Sequence, residues 1–248
     1  MRKLGTGDHP PSAQRNTLLT WIAAFALVAS FPAHAGSLSV SPLRLTFSNT
    51  AGIIALTVEN TGREEALVQT ETFAWNQVGG EHSLSPTDDV VAVPPVFRLA
   101  PNAQQRVRVG LTRAFTEKQE QTFRLTVTEV PTAVASGTVA VTVRHSLPIF
   151  VQPSTPISPN LTVKVVVSTG IEIANDGSQH LRIHRWRLRD SNGTIVAEDS
   201  GPGYLLNGAR LLLAGSRESL AKVGQRLMRP AVFEADIDAR TLKIAVGE

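Results

Sequence analysis

Three clusters in this chain hold residue types able to do chemistry. His180 and His184 stand four apart, a spacing that on a helix would aim two imidazoles at one metal ion. Their neighbourhood alternates apolar and polar residues like a strand, which separates them by ~13 Å and reads as surface or interface histidines. Glu234, Asp236 and Asp238 alternate with Ala235 and Ile237. That is one acidic face of a strand, read as solvated rather than calcium-binding. Arg185, Arg187 and Arg189 alternate around Trp186 and Leu188, a basic strand face that is either solvated or a patch for a partner. Hydrolysis needs an activated nucleophile with a base and an orienting group. No Gly-x-Ser-x-Gly elbow, HExxH, Walker loop or GxGxxG sits in a suitable context. The expectation is a protein that is not an enzyme and needs neither metal nor cofactor.

The strongest pattern is structural. From Gly137 to Pro153 the chain writes one long strand, with Val139, Val141 and Val143 on one face and the small Thr138, Ala140 and Thr142 on the other. Thr138 to Val151 would reach on the order of 46 Å at ~3.3 Å per residue, against ~17–20 Å for a usual strand. Pro148 lacks an N–H, so that end belongs at an edge or a bulge. A long apolar edge strand is an aggregation hazard unless something pairs with it. The plainer alternative is a core strand with a proline-marked exit.

Around it, period-two alternation recurs while helical periodicity is scarce. Leu38–Val40, Leu43–Phe47, Ile53–Val58, Leu67–Trp75, Val90–Val93, Gln105–Leu111 and Thr122–Val130 read as strands of a β-sandwich. Asn60-Thr61-Gly62, Gly79-Gly80 and Pro101-Asn102 are turns between them. Gln152 to Pro159 holds three prolines, a stiff linker and the expected domain boundary. A second series follows: Leu161–Val167, Ile171–Ala174, His180–Leu188, Thr194–Glu198, Arg210–Leu213, Phe233–Ile237 and Thr241–Val246. Asn192-Gly193 is a hairpin signal within it. Ser219 to Met228 reads as a short helix or a loop. The expected fold is all-β, two sandwiches joined by the proline-rich linker.

The first 35 residues look like a leader. Arg2, Lys3 and Arg15 precede the apolar stretch Leu18–Phe31, and Ala33-His34-Ala35 supplies a small-residue cleavage site, as in a secretory signal peptide. Cleavage there would leave 213 of the 248 residues. Discounting Arg2, Lys3, Arg15 and Asp8 takes the 24 basic and 21 acidic residues to 21 and 20, a net charge of +1. Nucleic-acid binding therefore has no compositional support. No further stretch approaches the ~18 apolar residues of a membrane span, so no stable membrane insertion is expected. The chain has no cysteine, so burial alone must hold the exported fold together.

Taken together, these features resemble the PapD-like periplasmic pilus chaperones, which escort fimbrial subunits to an outer-membrane usher. The resemblance rests on Ser41-Pro-Leu-Arg44-Leu-Thr-Phe47, Phe73-Ala-Trp75, Val93-Pro-Pro-Val-Phe-Arg98-Leu-Ala-Pro101, Gln105-Arg-Val-Arg108-Val and Glu129-Val-Pro131. The alternating strand 138–147 and Phe150-Val-Gln-Pro153 complete it. It implies a signal peptide over 1–35, an N-terminal immunoglobulin-like domain over 36–153 and a C-terminal one over 154–248. It implies pilin or fimbrial subunits and an outer-membrane usher as partners, in the periplasm of a Gram-negative bacterium. Val139, Val141 and Val143 would be the donated apolar residues that complete a subunit lacking its last strand. The short loop Thr132–Gly137 and the missing cysteines fit the family's short-loop type, in a divergent branch.

Family members grip the subunit's C-terminal carboxylate with an Arg on the first strand and a Lys on the last. Arg44 matches the Arg. The Lys position corresponds to Pro148, so the second donor must differ, and Arg144, Arg98 or His145 stand as alternatives that spacing does not separate. Arg98 has a second reading as a structural bridge between domains. Gln152 likewise replaces the family's Arg before Pro153. The rival is a secreted β-sandwich that binds surface glycans or peptides, which exposed clusters of Trp and Tyr would favour. The chain past residue 35 holds one Tyr and two Trp, Trp75 and Trp186.

Overall fold

The computed structural model describes residues 38–50, 52–131, 142–166, 170–213, 231–238 and 240–246, and every regular element among them is a strand. Alternation dictates this. β1 (Leu38–Ser41) buries Leu38 and Val40 and exposes both serines. It pairs with β3 (Ile53–Asn60), β3 with β8 (Gln104–Leu111), and β8 with β6 (Val90–Val93), all antiparallel. The facing sheet runs β2 (Leu45–Phe47), β10 (Arg144–Val151), β9 (Gln121–Val130), β4 (Ala66–Val78) and β5 (Glu81–Pro86). A further strand, β7 (Val96–Leu99), pairs with the opening stretch of β4. β2 joins β10 in parallel. Leu45, Phe47, Val58, Val107, Leu125 and Ile149 pack between the two sheets, aliphatic and aromatic chains that fill the inner face of a pleated sheet.

The second sandwich sets β11 (Leu161–Val166), β12 (Gly170–Asn175) and β15 (Arg210–Leu213) against β14 (Ile195–Leu205), β13 (Leu181–Arg189), β16 (Ala231–Ile237) and β17 (Arg240–Val246). The Asn192-Gly193 turn joins β13 to β14. Asp190 Oδ1 accepts the N–H groups of Asn192 and Thr194, both at 2.9 Å, and Gly193 takes a φ of 81°. Chain 156–160 between the sandwiches is exposed and unpaired into strands.

One device is built twice. Asn60 ends β3 and Asn175 ends β12, each wholly buried. Asn60 Nδ2 donates to the carbonyls of Glu64 and Leu99, and Asn175 Nδ2 to those of Gln179 and Leu205. Each side-chain oxygen accepts an N–H two residues on, from Gly62 and Gly177. At Gly177 a Cβ would meet Ser158 O at 2.6 Å and Asn160 N at 2.8 Å, so this corner has no room for a side chain. The sequence pattern shows the first corner as a turn and leaves the second unmarked.

Two expectations change, and a third reaches beyond the described residues. The pattern predicts a strand over Leu43–Phe47, but the strand starts at Leu45 and Leu43 is 65% exposed. Residues 42–44, after the cis Ser41–Pro42 bond, cross from one sheet to the other, are exposed and belong to neither strand. β5 and β7 were not anticipated; β5 is exposed along its whole length, so it shows no buried face to read. The long strand over 138–151 is described only from residue 142, with β10 regular from Arg144. Val139, Val141 and Ser219–Met228 lie outside the described residues.

Candidate functional site

The edge of β10 is where main-chain chemistry is left open. β9 pairs with β10 from Arg144 to Val151, whereas β2 pairs with it only at Ile149, Phe150 and Val151. Gln152 N–H donates to Phe47 O at 2.9 Å, and Val143 O accepts Glu129 N–H at 3.0 Å. Main-chain groups alternate in direction along a strand, so even-numbered residues face the β2 side and odd-numbered ones face β9. Beyond the end of β2, Arg144 and Ser146 therefore present N–H groups with no strand partner among the described residues. Pro148, also on that side, has none to present. Its place at the point where β2 stops is the edge placement its chemistry demands.

The side chains around Pro148 form a row across the sheet. Pro148 lies opposite Arg124 on β9, which lies opposite Phe73 on β4. Arg44 precedes Leu45, the partner of Ile149, so it flanks Pro148 on the other side. Leu45, Ile149 and Phe123 point into the first core, so Arg44, Pro148, Arg124 and Phe73 belong to the outer face. Arg44 is exposed, and no hydrogen bond or ion pair holds its guanidinium among the described residues. Arg124 lies 3.7 Å over the Trp75 ring and donates to Ser146 O at 3.3 Å. Burial holds its pKa below the ordinary value, with the nearby Tyr204 acting the other way.

The other sequence-derived candidates separate. Arg144 opens β10 opposite Thr128 and is exposed. Arg98 pairs with Glu65 at 2.9 Å, both well exposed. It lies opposite Leu67, itself opposite Val130, six residues along β9 from Arg124. That is ~20 Å away, too far for Arg98 to share a ligand atom with Arg44, and its salt bridge stays within the first sandwich. His145 faces the other side, its Nε2 2.9 Å from Leu38 O. Val143 is half-buried at the approach to β10.

Next to this edge the two sandwiches are joined. Trp75 and Phe150 belong to strands of the first but pack in the core of the second. Phe150 stacks on His180 at 3.7 Å and 11°, and Trp75 meets Tyr204 edge-on at 5.5 Å. His180 donates its main-chain N–H and its Nδ1–H to Glu120 Oε2, at 2.9 and 2.7 Å. Gln77 Oε1 accepts Leu206 N–H at 3.0 Å. Trp75 Nε1–H donates to His82 Nδ1 at 3.1 Å. Burial, then Arg124, pushes the His82 pKa down, with Glu81 opposing. The sequence reading missed this joint, although Leu-Pro-Ile-Phe-Val over 147–151 is a signal for it: an unbroken apolar run marks a strand buried on both faces.

The charged clusters of the second sandwich are one ladder. Glu234 is buried and accepts from Arg189 at 2.9 Å, with Lys243 3.2 Å away. Arg187 reaches Asp236 at 2.9 Å. The acidic face is thus matched by the basic one rather than solvated. Hydrogen bonding to Arg189, then to Lys243, holds the Glu234 pKa below its usual range against burial. His184 and Asp238 meet at 4.0 Å on the surface. Among the described residues no cluster of three ligating side chains is placed to hold a metal, and no helix is long and apolar enough to cross a membrane. Trp75 and Trp186 are buried, so neither offers a flat platform to a sugar.

Residues 37–156 match the family described as pili and flagellar-assembly chaperone, PapD N-terminal domain. The chain is 26% identical over 186 residues to the chaperone protein FaeE of Escherichia coli, covering 71% of this chain and 68% of that one. Its fold is similar to a chain of the CsuC–CsuE chaperone–tip adhesion subunit pre-assembly complex from the archaic chaperone-usher Csu pili of Acinetobacter baumannii. The TM-score is 0.55 at 20% identity, over 72% of this chain and 90% of that one. It is also similar to a chain of the Salmonella enterica SafA pilin–SafB chaperone complex, with a TM-score of 0.58 at 15% identity, over 86% and 97%.

Proposed function

This chain belongs to the PapD-like family of pilus-assembly chaperones, and we propose that it lends a strand to pilus subunits in the periplasm and passes them to an outer-membrane usher. The observation that carries this reading is the open edge of β10. A strand with free N–H and C=O groups on one side is a template for another chain, and strand addition is an established mode of peptide recognition, chaperone–pilin pairs included. On this reading the donated face continues from Val143 to Val141 and Val139. Arg44 grips the subunit's terminal carboxylate, and Arg144 lies further along the same edge. The protein has no catalytic role. Residues 1–35 are removed on export, leaving domains over 36–153 and 154–248.

Co-expression with a pilus subunit encoded beside this chain tests it. The expected outcome is a soluble one-to-one complex recovered from the periplasm, with a chaperone beginning at Gly36. A subunit that aggregates or is degraded equally with and without this protein would contradict the reading. Recovery of the protein in the membrane fraction with Met1 retained would contradict the processing.

A further inference from the structure

We propose that Gln77 is a positioning residue for subunit binding: its side-chain amide stands in for a missing strand at the edge of the second sandwich and holds the two sandwiches at one angle. This rests on the reading that a subunit strand adds along the open edge of β10. β4 pairs with β9 only as far as Ala74, and from Trp75 to Val78 it is paired with β5 alone. The β4–β5 hairpin therefore projects past its own sheet. It turns at Gly79 and Gly80 with φ of 60° and 89°, a conformation that glycine takes at no steric cost. Its tip reaches the second sandwich, where a Cβ on Gly80 would lie 2.5 Å from Leu211 Cδ1.

β14 is an edge strand of its sheet, and an edge leaves a row of main-chain groups without a ladder. Gln77 covers the end of that row. Its Oε1 accepts Leu206 N–H at 3.0 Å, and its Nε2 donates to Tyr204 O at 3.4 Å. Main-chain groups two residues apart face the same side of a strand, so these are the two bonds a neighbouring strand would make. An amide can make both because it carries a donor and an acceptor side by side. Asn175 Nδ2 donates to the intervening Leu205 O at 3.0 Å, so the end of β14 is held from both sandwiches. The angle matters because β10, open at Arg144 and Ser146, enters the second core at Phe150, ~13 Å beyond Ser146. A strand added there runs up to the joint and meets both sandwiches. If only a fraction of molecules hold the binding angle, apparent affinity falls by that fraction. Loss of the clamp therefore weakens capture while each sandwich stays folded.

The test uses the full exported chain. It has no cysteine, so spin labels on Arg106→Cys and Lys164→Cys, one exposed site on each sandwich, report the distance between the two. Wild type should give one narrow distance distribution. Gln77→Met keeps the length of the side chain and removes both bonds, so it should broaden the distribution and leave circular dichroism unchanged. A side chain that only fills space would give the same distribution in both proteins. For function, Gln77→Met is expressed at equal level beside the wild-type protein, together with a pilus subunit encoded beside this chain. The variant should carry about tenfold less subunit, the worth of two neutral hydrogen bonds. Gln77→Glu, which keeps the bond to Leu206 N–H, should fall between them, and it takes the place of Gln77→Met if that variant does not fold. A folded variant with an unbroadened distribution would overturn the clamp. A broadened distribution with an equal share of subunit would overturn the positioning role. A wild-type protein that captures no subunit would instead overturn the strand-addition reading, with the distances still reporting on the clamp.

Discussion

Arg44 stands free at the foot of β2, whereas Arg98 is tied to Glu65, and the difference decides what each substitution does. Arg44→Ala should leave circular dichroism and the melting temperature nearly unchanged while subunit recovery is lost, since no internal contact is broken. Arg98→Ala removes an exposed ion pair worth ~0–1 kcal/mol and should leave subunit recovery intact. The row containing Arg44 was half legible: the strand motif marks the residue, but its neighbour Arg124 comes from β9, and no local spacing pairs the two. His82 shows the same limit. Its pKa is lowered from 6.5, so the neutral form is favoured on folding. The resulting stability is present above that value and is lost as pH falls through the lowered one. Trp75 fluorescence should therefore shift on acidification below about pH 6.5, and His82→Ala should abolish that shift.

Among elements, the two Asn-x-Gly corners and the charged ladder of β13, β16 and β17 do the fixing. Asn175→Ala strands the carbonyls of Gln179 and Leu205 and the Gly177 N–H, so it should destabilise the second sandwich by about 2–4 kcal/mol in denaturant unfolding. An unchanged midpoint would contradict the corner's role. The ladder depends on pH in a defined direction. Glu234 has a folded pKa below its usual 4.5, so its contribution is present above that value and lost as pH falls through the folded one. Glu234→Gln should be less stable than wild type at pH 7 and indistinguishable from it well below pH 4. Alternation made most of these strands legible. The exposed β5 was not, because a strand buried on neither face carries no pattern, and the acidic face misled because its partners lie on β13, 45 and more residues earlier.

At the scale of the whole molecule, the joint between sandwiches sits against the open edge of β10. Phe150, on that strand, stacks on His180, and Glu120 fixes His180 from the first sandwich. Such contacts join residues from distant parts of the chain, which is why fold class was readable in sequence and the joint was not. The central claim is that the β2-facing side of β10 accepts a subunit strand. Amide hydrogen exchange, residue by residue on the free protein and on its subunit complex, tests it most directly. The Arg144 and Ser146 N–H groups should exchange fast in the free protein and become protected in the complex, while Leu147 and Ile149, facing β9, stay protected in both. A stable subunit complex in which Arg144 and Ser146 exchange as fast as in the free protein would contradict the account.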